Sequence, residues 1–109
     1  MPDIREKDWK IVRSMKDDAF DLACQRIMDK LSKIITAEEK SAHSRYLELW
    51  KMLKAEDENI ALMFDDMKRS SALHQLARWR FNDLITDRDL ETFSPGTLKV
   101  VNKFIEVWR

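Results

Sequence analysis

The 109-residue chain carries 20 basic and 20 acidic side chains, and 44% of it is apolar. Zero formal charge argues against a nucleic-acid binder working through bulk positive charge, and the apolar share is too high for a disordered chain. With one Gly and two Pro, and neither between Asp3 and Ser94, the chain lacks the turn residues of an all-β fold and the glycine loops that hold dinucleotides or phosphates.

The first element is predicted to be a helix over 4–35. Asp3-Ile-Arg-Glu6 has the spacing of a capping box, an acceptor with a Glu three residues on. Trp9, Val12, Lys16, Phe20, Ala23, Ile27, Leu31 and Ile34 follow at steps of three or four, and Ile11, Met15, Leu22 and Met28 form a second stripe beside them. An apolar face this broad is expected to touch more than one neighbour, because packing on a single partner needs only a narrow seam.

Thr36-Ala-Glu-Glu39 is a second capping box, so a second helix is expected over 37–69. The short link predicts an antiparallel hairpin. Tyr46, Leu53, Ile60 and Met67 are spaced by seven, and Trp50, Asp57 and Phe64 supply the other heptad seam, with Asp57 a polar interruption. Two helices of about 30 residues reach about 45 Å each. A compact domain of this size has a radius of gyration of only about 13 Å, so an elongated molecule is predicted.

Ser70-Ser71 marks a weak boundary before a helix over 72–85, with Leu73, Leu76, Ala77, Phe81, Leu84 and Ile85 inward. Thr86-Asp-Arg-Asp89 caps a short helix over 87–92. Ser94-Pro95 places an N-cap residue before a proline at the first helical position of a last helix, 95–108. The whole reads as an all-α, elongated helical bundle in one domain, 1–109: a hairpin of two long helices with a helical C-terminal third packed on it. The stretches Phe64–Leu73 and Leu84–Ser94 have the look of a small bacterial protein and carry no family motif.

Little in the chain suggests chemistry. Neither His43 nor His74 has a Glu three residues before it, as a carboxylate-bridged metal bundle requires, and zinc would want more Cys and His. Pairs such as Asp17-Asp18 are adjacent, so they point about 100° apart on a helix and form no carboxylate dyad. The chain is read as a non-enzyme without cofactor or metal. Its longest apolar run, Ile60 to Phe64, is far too short for a membrane span. The charged start, Met1 to Trp9, lacks a signal-peptide core, and the lone Cys24 is expected as a reduced thiol in a cytoplasmic protein.

Four Trp, five Phe and six Met are a heavy load for this length, and Trp and Met favour interfaces. The sequence therefore points to protein–protein interaction, with a homodimer as the expected partner state. Trp9 and Trp108, near the chain ends where a monomer core thins, are the favoured anchors, with Met15 and Met28 beside them. The alternative is a nucleic-acid-associated or acidic-partner patch of Lys68, Arg69, Arg78 and Arg80 around Trp79, since arginine beside an accessible aromatic grips bases.

Overall fold

A computed structural model describes residues 4–109. The chain forms five helices, α1 (Glu6–Ile35), α2 (Ala42–Phe64), α3 (Ala72–Phe81), α4 (Asp87–Leu90) and α5 (Pro95–Trp108), with no strand among the described residues. The molecule measures 52 × 24 × 23 Å with a radius of gyration of 16.6 Å, longer than a compact domain of this length. α1 and α2 form the antiparallel hairpin, and α3 packs chiefly on α5 and also on the open end of the hairpin.

The capping box expected at Asp3 falls on a residue outside those described. α1 starts at Glu6 rather than residue 4, with Arg5 at N-cap and no side-chain cap bond. Glu6 and Asp8 in its first turn suit the positive end of the helix dipole. Its inward row is Asp8, Val12, Ala19 and Ala23, where the two alanines permit close approach of the C-terminal helices.

The second box is not used either. Thr36 is the C-cap of α1, and its hydroxyl donates to the Ser32 carbonyl at 2.8 Å. α2 begins later, at Ala42, where the Ser41 hydroxyl accepts from the Ser44 backbone N–H. Residues 36–41 are thus the turn of the hairpin, tied by Arg45, whose guanidinium donates to the Ile35 carbonyl at the negative end of α1.

α2 also stops five residues before the expected end. Its last carbonyls are taken by α3: the Trp79 indole N–H donates to Met63 O at 2.9 Å, and Gln75 Nε2 donates to Asp65 O at 2.9 Å. Asp66 then turns the chain at φ 52°, a left-handed conformation that Asp tolerates better than most residues. Side chains from the next helix thus meet the unpaired groups that a helix end leaves.

α3 ends at Phe81, four residues early, in a Schellman arrangement. Leu84 N–H donates to Trp79 O at 2.8 Å and Asp83 N–H to Arg80 O at 3.1 Å, with Asp83 at φ 58° where glycine is usual. Arg26 of α1 locks this turn by donating to the carbonyls of Asn82 and Asp83, both at 2.7 Å. α4 carries the expected capping box: Thr86 Oγ1 accepts from the Asp89 N–H at 3.1 Å and the Asp89 carboxylate accepts from the Thr86 N–H at 2.8 Å. It is shorter than expected, ending at Leu90.

The core lies where the hairpin meets this C-terminal third. Val12, Leu76, Trp79 and Val101 are fully enclosed, with Phe64 stacked on Trp79 at 5.5 Å. α5 enters it through Thr97, Val101 and Ile105, one residue per turn.

Asp8 fastens the start of α5 to α1. Its buried carboxylate accepts from Ser94 N–H at 3.1 Å, from Ser94 Oγ, and from Thr97 Oγ1 at 2.6 Å. Burial pushes this carboxyl up, but the three hydrogen bonds together outweigh it and hold the group below its ordinary value of 3.8.

Candidate protein-docking surface

Beyond the C-terminal third the hairpin is only two helices thick, and its two sides differ. On one side, Lys30 pairs with Glu56 at 3.0 Å and Lys40 with Glu48 at 3.1 Å. Further along that side, Arg26 reaches the turn after α3. Ion pairs of this kind keep their charges in water and contribute little to stability.

The other side is apolar. Phe20, Cys24, Met28 and Ile35 fall within about 80° of arc on α1, and Tyr46, Trp50, Leu53 and Asp57 within about 60° on α2. Phe20 meets Phe64 edge-on at 4.9 Å, and Phe64 is two turns on from Asp57, so the two rows share one side of the hairpin. Met28 is 61% exposed, Tyr46 58%, Trp50 56% and Ile35 54%. Phe20 and Leu53 are also exposed. The Trp50 indole N–H donates to the Tyr46 hydroxyl at 3.2 Å, so these two rings hold each other in place.

Side chains of this class present roughly 150–250 Å² when open. Six of them at around half exposure leave on the order of 500 Å² of apolar surface, near the upper end for a soluble monomer. The face stays open because the C-terminal third folds onto the Val12, Ala19 and Ala23 row of α1, and among the described residues nothing reaches the outer half of the other side.

Among the residues singled out from the sequence, Met28 lies on this face. Met15, Trp9 and Trp108 do not: all three are half-buried and pack against the core. Trp108 is further enclosed by Phe104, stacked at 5.8 Å, by His74, edge-on at 5.3 Å, and by the Arg78 guanidinium, 5.0 Å above its ring. Burial first, and then the positive charge of Arg78, push His74 below its usual 6.5.

The basic patch is dispersed. Trp79 has no exposed surface, so it offers no ring to a base, which corrects its place in that patch. Arg69 pairs with Glu6 at 2.9 Å and donates to Ile4 O at 3.1 Å. Arg80 holds Asp87 at 2.8 Å and Asp83 at 2.9 Å, bonds that raise its pKa and lower that of Asp87. Lys68 is exposed, while Arg78 is half-buried over Trp108.

Sequence reasoning placed Tyr46, Trp50 and Leu53 in the seam between the long helices. The seam runs instead through Met52, Glu56, Ile60 and Met63, which line the same grooves as Ala23, Ile27, Lys30 and Ile34 of α1. Among the described residues, no group of three or more His, Cys, Asp or Glu could hold a metal ion, and no helix is long and apolar enough to cross a membrane.

No family model, curated protein or solved structure matches this chain.

Proposed function

We propose that this is a cytoplasmic protein-docking module, not an enzyme, and that it works through the open apolar side of the α1–α2 hairpin. The observation that carries the reading is the contrast between the two sides of one hairpin. Ion pairs run along one, where Leu22 and Leu62 are isolated exposed apolar residues, and half-exposed Met28, Ile35, Tyr46 and Trp50 cluster on the other. A helix layer with an apolar side is stable when a second layer covers it. Aromatic residues at the centre of such a side are the usual anchors of binding energy.

A photo-crosslinking amino acid placed at position 50, in the cells that make the protein, tests the reading. Covalent adducts to a protein, whether this chain or another, are expected from position 50. None is expected from position 51, on the far side of α2. No adduct at position 50 would overturn the reading. The nucleic-acid alternative gains no support from the geometry, because Arg69 and Arg80 are held by Glu6, Asp83 and Asp87 and Trp79 is enclosed.

A further inference from the structure

We infer that the open side of the hairpin is covered by a second copy of this chain, two hairpins stacking face to face into a four-helix layer. The inference rests on the docking reading above and adds the identity of the partner.

The first support is area. A stable interface of standard size buries roughly 800 Å² on each partner. The six apolar side chains alone leave on the order of 500 Å² on one copy, more than half of that share, and exposed Ser32, Lys54 and Asp57 lie beside them on the same side. A short peptide in a groove would need a concave surface, whereas this side is the long flank of two antiparallel rods.

The second support is charge. The chain has no net charge, so copies do not repel one another at long range. Charge on this side is sparse and mixed, with Asp17 on α1 and Lys54 and Asp57 on α2. A partner recognised by strong charge would find little to pair with here, but an identical apolar row would.

The third support is the state of the polar atoms. The indole N–H of Trp50 is already bonded to Tyr46, so the indole can be covered by an apolar surface without becoming an orphan donor, while the Tyr46 O–H keeps its donor for water or an acceptor at the rim. Stacking two copies about a two-fold axis presents the same rows to each other, as an isologous interface requires.

Light scattering on the purified full chain at about 100 µM, where a dimer of micromolar affinity is populated, tests the inference. The expected mass is twice 13.0 kDa. Trp50→Glu is expected to weaken dimerisation roughly thirtyfold or more, the loss typical of a central aromatic anchor. Leu62→Glu serves as a control, because Leu62 is also exposed but lies on the far side of α2; it is expected to leave the dimer intact. Helix content by circular dichroism identifies a variant that fails to fold, and Tyr46→Lys then replaces it. A wild-type monomer would overturn the inference, as would a dimer indifferent to both Trp50→Glu and Tyr46→Lys. A monomer that still forms adducts to another protein from position 50 would remove the second copy while leaving the docking reading in place.

Discussion

Trp79 and Trp50 both stand next to a basic residue on an α-helix, yet one is wholly enclosed and the other is 56% exposed. Trp79 sits where three layers meet. Phe64 stacks on its ring, its N–H ends on the last turn of α2, and α5 closes over α3. Trp50 sits where the molecule has one layer, and its N–H finds only Tyr46, on its own helix. The same residue type is a keystone in one place and a free surface in the other. What separates them is the number of helices within reach, not the local sequence.

The sharpest way to break this comparison is Trp79→Ala. It removes a fully enclosed indole and leaves Met63 O without its donor, so unfolding free energy should fall by about 3–5 kcal/mol in urea titration. A loss below about 1 kcal/mol would mean that the C-terminal third is not the core. Next comes Asp8→Ala, which strips the acceptor from Ser94 and Thr97. It should cost roughly 2–3 kcal/mol and loosen α5, seen as faster amide exchange over 97–105. Because the Asp8 carboxyl is held below 3.8 in the fold, the unfolded chain takes up its proton first. Its contribution is present above pH 3.8 and is lost as pH falls below it, so Asp8→Ala should flatten the acid limb of a stability profile.

Smaller is Thr86→Ala, which removes one half of a capping box at an exposed site. About 1 kcal/mol is expected by denaturant titration, and no change would mean that α4 is held by Leu90 and Phe93 alone. His74→Phe should leave stability at pH 8 nearly unchanged. The folded His74 resists protonation, so wild-type stability should decline as pH drops through 6.5, and this decline should be reduced in the variant. An unchanged slope would show that His74 is not shielded by Phe104 and Trp108. Smallest is Trp50→Ala, which at concentrations low enough for monomer should alter stability by less than about 0.5 kcal/mol. A loss like that of Trp79 would erase the contrast on which the comparison rests.

Helix number and order were legible from the sequence, because periodicity and the scarcity of Gly and Pro decide them. Thr86 and Ser94-Pro95 marked their helix starts correctly, Thr86 because its hydroxyl caps the neighbouring Asp89 N–H and Pro95 because its fixed φ suits a first turn, while the Ser94 hydroxyl goes to Asp8 instead. The errors came where a distant partner decides. Thr36 had the spacing of a cap but closes α1, because Arg45 and Ser41 organise the turn around it. α2 was read too long because Gln75 and Trp79, which accommodate its end, lie a helix away. Asp66 and Asp83 take left-handed turns without the glycine that would have announced them.

The docking surface was half legible. The load of Trp and Met pointed to exposed residues of these types, and Met28 and Trp50 are exposed. The ends of the chain were the wrong place to look, since α5 folds back and half-buries Trp108 while the tip of the hairpin runs free. Two apolar rows lie side by side on α2, and the heptad rule cannot say which one faces α1. Apolar packing settles it: Met52, Ile60 and Met63 line the same grooves as Ala23, Ile27 and Ile34 of α1, which leaves Tyr46, Trp50 and Leu53 outside.

Hydroxyl-radical footprinting of the full chain over a concentration series tests most directly that a second copy covers this side. Oxidation of Met28, Tyr46 and Trp50 should fall together as concentration rises, while Leu62 stays reactive and Trp79 stays protected throughout. Equal reactivity of Met28, Tyr46 and Trp50 at every concentration would contradict the account.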